Sequence, residues 1–376
     1  MKPALVFVRS FIPDFDGKLK KYMSVLDQAG ISYHFVGWAR ADTSPEQGTR
    51  FSYFKRQAPL GNGLKNILNL LLWNIYLFQR LFHMRKNVGC IHVIDFDSVI
   101  PCFVFSRLFR RPLIFDIYDK YTSLRKMPGI LATAIDKLEN YCIKRADLSI
   151  LADSSRYKQH GLSVDAKNVI VLENVPIVAV EKTLRHTPSG NRWNIGYFGV
   201  LEPVHRGLED LLELALQCPE IGLHIAGYGP LEAFIATKAG LSANIHFYGP
   251  RSPKEGLAVM EKMDIIAGLY YRSVPNHLYA APNKYYEHLM LGVPLVTTEG
   301  TPPGEKVTSL NTGWAVSEGV GALKRWLGTL QEADVDIKAK MAAQVWQTNY
   351  ANYYDINYKG VYLNAVATLM NGRRHA

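Results

Sequence analysis

The sequence predicts an α/β protein made of two Rossmann-like halves, each a parallel sheet covered by helices, facing each other across a central cleft. Three observations carry this. Short, continuous apolar runs alternate with segments of helical period along nearly the whole chain, the pattern of parallel strands buried on both faces. A polar stretch at 177–192 carries Pro188-Ser189-Gly190 and reads as a linker, after which the alternation restarts. A length of 376 residues is too great for one typical core and suits two domains.

In the first half, apolar runs at 4–8, 33–38, 90–94, 113–117, 148–151 and 169–172 read as strands. Helical period marks 18–29, 64–84, 132–145 and 155–160 between them. In the second half, 194–200, 222–226, 245–248, 265–270 and 294–297 read as strands. The segments 208–216, 231–239, 254–263 and 283–291 read as helices. The end of the chain, 341–370, is rich in aromatics (Trp346, Tyr350, Tyr353, Tyr354, Tyr358, Tyr362) and suits one or two helices. These signals divide the chain into 1–180, 181–345 and a C-terminal helix over 346–376 that is expected to pack back toward the first domain.

Hydrophobic content of 48% with 20% charged residues describes a globular chain. Met1-Lys2 runs straight into an apolar stretch with no small-residue cleavage site, so no secretory leader is expected. The four cysteines, Cys90, Cys102, Cys142 and Cys218, are scattered without a C-x-x-C pair. That predicts a reducing, cytoplasmic setting without a zinc site or disulfide framework. The formal charge is +10, and the whole excess falls within residues 1–180. A basic half attracts phosphate, whether on lipid, nucleic acid or a substrate, or it is simply a solvated basic surface. The segment 67–78, Ile-Leu-Asn-Leu-Leu-Leu-Trp-Asn-Ile-Tyr-Leu-Phe, is shorter than the ~20 residues of a membrane span. Flanked by Lys65, Arg80, Arg85 and Lys86, it either lies in a membrane interface, with Trp73 and Phe78 inserted, or is buried against the sheet. No recognised nucleic-acid module occurs.

The strongest local signal for chemistry is Pro282-Asn283-Lys284-Tyr285-Tyr286-Glu287, followed by Gly292. Pro282 opens a helix that Asn283 or Asn276 can cap and Gly292 ends. Lys284 and Glu287, three apart, share one face near its N-terminus. A helix N-terminus with a lysine suits phosphate, and a carboxylate one turn in can accept hydrogen bonds from a ribose diol. A plain surface ion pair has the same spacing. The second signal is Gly196-Tyr197-Phe198-Gly199, a short loop and Arg206-Gly207. There glycine admits backbone N–H groups to an anion and arginine clamps it. A third turn, Gly227-Tyr228-Gly229, is a weaker sign of the same kind. In the first half, Asp116 and Asp119 end one strand, and Asp95 and Asp97 another. A carboxylate there could orient or deprotonate an acceptor hydroxyl. Asp16-Gly17-Lys18 opens the first long helix. The sequence holds no P-loop, no G-x-G-x-x-G, no G-x-S-x-G elbow and no H-x-x-x-H pair, so hydrolase and metalloenzyme readings lack their parts.

Taken in order, these pieces resemble the family 4 glycosyltransferases of the GT-B fold, over nearly the whole chain. The resemblance is carried by Asp16-Gly17-Lys18-Leu19-Lys20-Lys21, the block from Cys90 to Lys120, the stretch from Asp147 to Asn174, the Arg206-Gly207 loop, the Ala226-Gly227-Tyr228-Gly229 turn, Tyr248-Gly249, and the Pro-x-Lys-x-x-Glu helix at 282–287. It implies retaining transfer from a nucleoside-diphosphate sugar, with neither metal nor cofactor and with uridine preferred to guanosine as the base. The domain over 1–180 would bind the acceptor and that over 181–345 the donor. Arg206 and Lys284 would neutralise the diphosphate, Glu287 would bind the ribose, and Tyr248, Gly249 and Arg251 would flank the base. Gly17, Gly199, Gly227, Gly229 and Asn283 complete the donor set, and Asp119 would face acceptor and donor sugar. The acceptor would be a lipid-linked or polysaccharide glycan, at the inner face of an anionic cytoplasmic membrane, and no nucleic acid is expected.

Three departures stand out. Tyr279 occupies the place of the first glutamate of the family's E-x7-E pair. Gly199-Val200-Leu201 replaces Gly-Arg-Leu, and Asp116-Ile117-Tyr118-Asp119 replaces Asp-x-His-Glu. A sugar-nucleotide epimerase on the same architecture, or a catalytically inactive subunit, are the other readings of the same pieces.

Overall fold

The apolar runs of the first half become seven parallel strands: β1 (Ala4–Arg9), β2 (Tyr33–Ala39), β3 (Phe51–Lys55), β4 (Val88–Ile94), β5 (Leu113–Ile117), β6 (Leu148–Leu151) and β7 (Val169–Val171). In the computed structural model, which describes residues 4–40, 48–58, 66–125, 127–177 and 190–372, they are ordered β3-β2-β1-β4-β5-β6-β7. The helices α1 (Gly17–Gln28), α2 (Ile67–His83), α3 (Val99–Leu108), α4 (Gly129–Arg145) and the single turn α5 (Arg156–Gln159) connect them. The order reverses between β1 and β4, which makes the carboxyl ends of those two strands the topological switch point.

A second sheet follows: β8 (Trp193–Val200), β9 (Ile221–Tyr228), β10 (Ile245–Phe247), β11 (Ile265–Gly268), β12 (Leu295–Thr298) and β13 (Gly313–Val316). Its order is β10-β9-β8-β11-β12-β13, again all parallel, with the switch between β8 and β11. Its helices are α6 (Leu208–Gln217), α7 (Glu232–Leu241), α8 (Pro253–Met260), α9 (Asn283–Leu291), α10 (Pro302–Ser309), α11 (Val320–Gly328) and α12 (Glu332–Val345). The chain then passes through π-helical turns at Trp346–Tyr350 and Tyr354–Tyr362 into α13 (Leu363–Asn371).

The chain divides into two compact units. Unit 1 is Met1–Asn174 with Asp355–Ala376, and unit 2 is Val175–Tyr354. The segment read as a linker lies largely at 178–189, outside the described residues, as does Lys65.

Each unit has its own core. In unit 1, Val6, Val36, Ile91, Val93 and Phe115 pack against Trp73, Leu77 and Leu81 of α2 and Phe105 of α3. In unit 2, Ile195, Leu223, Ile225 and Ile265 pack against Leu208, Leu211 and Leu212 of α6 and Trp326 of α11. Each fully buried Leu, Ile or Val of this kind contributes about 1.5–3 kcal/mol.

Several elements differ from the expected ones. The aromatic run of β3 forms an edge strand that no continuous apolar stretch announces. Helix α3 is apolar almost all round, so it shows no helical period, and Pro101 sits in its first turn, where a missing N–H costs nothing. Helix α10 opens on Pro302-Pro303 behind a Thr301 cap, for the same reason. Trp73 is fully buried on the sheet-facing side of α2, so it is a core residue and not available for insertion into a membrane. Among the described residues, no helix is long and apolar enough to cross a membrane.

Unit 1 also buries charge. Lys18 and Asp116 form an ion pair of 3.0 Å, both almost inaccessible. The Tyr22 hydroxyl donates to the other Asp116 oxygen at 2.7 Å. His92 Nε2 stands 3.5 Å from that oxygen, and its Nδ1 lies 2.9 Å from the Tyr362 hydroxyl, which ties the end of the chain to the sheet. Burial pushes the Asp116 carboxyl up, but Lys18, His92 and Tyr22 more than offset this and hold it below its ordinary value. Burial lowers the His92 pKa, with Asp116 opposing the fall.

Replacing Lys18 alone by Met strands a buried carboxylate and should cost about 3–5 kcal/mol, while adding Asp116→Leu should recover most of the loss. Denaturant unfolding of the two variants checks this; a single variant as stable as the parent would show that the pair is not the lock described.

Candidate functional site

The second unit gathers its glycine loops at the carboxyl ends of β8 and β9. Gly199 pairs with Gly227 across the two strands. Gly199 has φ +152°, and a Cβ there would lie 2.7 Å from Lys284 Nζ, so the ammonium sits directly over a position without a side chain. A Cβ on Gly227, φ +147°, would come 1.9 Å from the Gly199 carbonyl oxygen. At Gly227 the clash is with backbone and glycine is a steric requirement, whereas at Gly199 the neighbour is the end of a flexible side chain and it is the positive φ that favours glycine. Gly229 lies against the Leu201 backbone, and the Gly227 N–H donates to the Gly249 carbonyl at 3.0 Å, which draws the loop after β10 into the same edge.

Two cations meet here from opposite sides of the switch point. Arg206 lies in the loop after β8, and Lys284 opens α9, the helix that follows β11. The Arg206 guanidinium lies 5.2 Å from the centre of the Tyr270 ring, and its Nε donates to Glu202 at 3.0 Å. Lys284 Nζ lies 4.2 Å from the centre of the Tyr197 ring. The Tyr197 hydroxyl donates to the Val200 carbonyl at 2.8 Å, which fixes that ring. Burial lowers the Lys284 ammonium to about 8, with Glu287 and Glu202 opposing the fall and Arg206 adding to it. Around Arg206, burial is more than offset by Tyr270, Glu202 and Tyr197, and the guanidinium stays charged.

Helix α9 begins at Asn283 itself. Pro282 takes the capping position, with extended φ −79° and ψ 144°, and no side chain caps the helix. Of the two expected caps, Asn283 is already the first helical residue, and Asn276 is buried in the turn Pro275–Tyr279. The positive end of the helix dipole and Lys284 therefore face the same space. Glu287, one turn in, is half-buried and acts on Lys284 and Tyr270 through its charge.

The other expected residues fall as follows. Tyr248 directs its hydroxyl to His224 Nδ1 at 2.8 Å and stacks on that ring. Gly249 adopts φ +70° just after β10, and Arg251 is exposed before the Ser252–Glu255 capping box of α8. Gly17 is the first residue of α1 in unit 1, behind an Asp16 cap that accepts from the N–H groups of Lys18 and Leu19. Asp119 is 40% exposed at its side chain and pairs with buried Arg156 at 3.0 Å. Its neighbour Asp116, within β5, is buried and turns to Lys18, so of the two carboxylates Asp119, in the loop after the strand, is the accessible one. Asp95 accepts the Tyr118 N–H at 2.9 Å, and burial, offset in part by Arg9, pushes its carboxyl up to about 7.

Sequence reasoning passed over four side chains around the cations: Tyr197, Glu202, Tyr270 and His277. Glu202 precedes Arg206 by four residues, a spacing that signals a pair only inside a helix, and this segment is a loop. His277 donates from Nδ1 to the Tyr271 carbonyl at 2.8 Å and packs edge-on to Tyr270 at 5.6 Å. Burial, with Arg206 nearby, lowers its pKa. Among the described residues, no group of three or more His, Cys, Asp and Glu side chains forms a metal cradle.

Two parallel doubly wound sheets in one chain make this the fold of the GT-B glycosyltransferases. The chain superimposes on HepE of Anabaena in complex with UDP with a TM-score of 0.66 and 16% identity, covering 98% of this chain and 100% of that one. It matches sucrose-phosphate synthase of Thermosynechococcus elongatus with a TM-score of 0.69 and 14% identity, covering 98% and 100%. The apo lipopolysaccharide outer core galactosyltransferase WaaB gives a TM-score of 0.65 and 15% identity, covering 98% and 99%. No family model and no curated protein matches the sequence. At these identities the likeness is one of fold.

The Lys284 value sets a pH dependence. The ammonium is charged below about 8 and loses its proton above, so affinity for a diphosphate should be full below that pH and fall as pH rises through it. Calorimetric titration of UDP between about pH 7 and 9.5 should show this limb, and Lys284→Arg should remove it, since arginine stays protonated. An affinity constant across that range would show that Lys284 does not meet the anion.

Proposed function

We propose that this protein is a glycosyltransferase that moves a sugar, with retention of configuration, from a nucleoside-diphosphate sugar to a lipid-linked or polysaccharide acceptor. The observation that carries the reading is the convergence of Arg206, Lys284 and the N-terminus of α9 at the switch point of the second sheet. Such an arrangement suits a diphosphate, and ligands of parallel sheets bind outside these strand ends. The likeness to HepE solved with UDP, and with UDP and glucose, supports a uridine donor.

The chemical task is to stabilise a leaving group. As the bond from the anomeric carbon to the diphosphate oxygen breaks, that oxygen keeps the electron pair and negative charge spreads over the phosphates. Arg206 and Lys284, already positioned by Glu202 and by the faces of Tyr270 and Tyr197, meet that charge without reorganising. This reading gives charge neutralisation to the two side chains and not to a metal. The acceptor oxygen forms the new bond at the anomeric carbon and gives up its proton to the departing diphosphate oxygen. Asp119, the accessible carboxylate of its loop, is the group in unit 1 assigned to face acceptor and sugar, and Arg156 holds it in place. Glu287 accepts from the ribose, and the loop over Tyr248, Gly249 and Arg251 flanks the base. The setting that fits the basic first half is the inner face of an anionic cytoplasmic membrane, in surface-glycan synthesis.

Arg206→Ala and Lys284→Ala should each lower turnover more than about a hundredfold, in line with roughly 2.7–4 kcal/mol for one transition-state contact. Release of UDP from UDP-sugar in the presence of acceptor measures this, with circular dichroism to confirm the fold. Near-normal rates in either variant would rule the assignment out.

A further inference from the structure

Helices α2 and α3 of unit 1 pack side by side and enclose an open groove of about 730 Å³ between their outer faces. Its walls are Leu71, Ile75 and Phe78 from α2 and Ile100 and Val104 from α3, and the lining is almost wholly apolar. Helix α2 thus has two apolar faces. Trp73, Leu77 and Leu81 are buried in the core, yet Leu71 is 56% exposed and Ile75 46%. An apolar face of this extent left to solvent marks a binding surface, and the volume falls among those of small-molecule sites.

The groove is not apolar throughout. One end closes on Asp97 and Tyr121, in the loops that follow β4 and β5. Arg125 Nη2 lies 3.1 Å from one Asp97 oxygen, and Arg40 Nη2 lies 3.9 Å from the other. Arg125 stacks on Tyr121 with its guanidinium 3.7 Å from the ring centre, and Arg40 on Trp38 at 3.9 Å. Two guanidinium groups held against one carboxylate leave net positive charge at this end, on planar groups suited to phosphate oxygens. The groove therefore offers a hydrocarbon wall leading to a cationic end, the complement of an amphiphile with a phosphate head.

We propose that the groove between α2 and α3 seats the hydrocarbon chain of a lipid-linked acceptor, with Arg40 and Arg125 receiving the phosphate that joins chain to sugar. This rests on the glycosyl-transfer reading and narrows its acceptor to the lipid-linked class. The concave shape favours a single chain over a bilayer surface. The cationic end lies at the carboxyl edge of the first sheet, the edge at which parallel sheets hold their ligands. The acceptor's head would thus sit at the strand-end edge of unit 1 while its chain runs back along the helices.

The test is calorimetry with dodecyl phosphate, kept below its micelle concentration, and with butyl phosphate as the short-chain control. The parent protein should bind one dodecyl phosphate per chain and butyl phosphate at least about tenfold more weakly. Leu71→Asp and Ile75→Asp alter exposed positions and should each weaken dodecyl phosphate about tenfold, and Arg125→Gln should weaken both probes. Equal affinity for the two chain lengths in the parent protein overturns the proposal without recourse to any variant. So does unchanged dodecyl phosphate binding in the two groove variants. If those variants lose binding to phosphatidylglycerol vesicles but keep dodecyl phosphate, the face is a bilayer contact and the proposal also fails. UDP titrated on the same preparations reports separately on the donor site: its failure to bind the parent protein removes the glycosyl-transfer reading, while the groove is judged on chain length.

Discussion

The second unit depends on holding two positive charges close together in a half-buried place before any anion arrives. Arg206 and Lys284 repel each other, and burial works against both charges. What keeps them there is local: Glu202 on Arg206, Glu287 near Lys284, and two aromatic faces, Tyr270 and Tyr197, that attract cations without taking up their hydrogen-bonding capacity. The backbone is fitted to this pair. Gly199, held at positive φ, leaves open the space that the ammonium occupies, and only a residue without a side chain lets β9 pass beside it at Gly227. The lowered pKa of Lys284 follows from burial and, to a lesser degree, from Arg206; in the proposed function a diphosphate between the two cations would oppose both.

The first unit handles charge in the opposite way. Lys18 and Asp116 are sealed inside, each answered by the other, with Tyr22, His92 and Tyr362 completing the set. Within this network each charge has its counter-charge. The network joins the first helix, two central strands and the last segment of the chain. The contrast is between a pair of opposite charges that answer each other and a pair of like charges that, in the proposed function, an anion would complete.

Much of the fold was legible in the sequence because both sheets are parallel and buried on both faces, so their strands are short apolar runs that stand out from the helices. What escaped has particular causes. The strand at Phe51–Lys55 is an edge with mixed exposure, and the helix at Val99–Leu108 is apolar all round and shows no period. The helix at Pro302–Ser309 begins with residues that usually break one. Of the site, Lys284, Glu287, Arg206 and Gly199 were legible because each belongs to a local pattern of turn, helix start or spacing. Tyr197, Glu202, Tyr270 and His277 were not, because their roles come from strands and loops brought together by the switch of strand order. The pairing of Lys18 with Asp116 was not legible for the same reason: the two residues lie far apart along the chain.

The central claim is that Arg206 and Lys284 act on the diphosphate and not on the rest of the nucleotide. Calorimetric titration of UDP and of uridine on the parent protein, Arg206→Ala, Lys284→Ala and the double variant tests this directly. The account predicts that the preference for UDP over uridine shrinks stepwise and is lost in the double variant, while uridine binds all four proteins alike. Equal losses for uridine and UDP, or a preference for UDP that survives the double substitution, would contradict it.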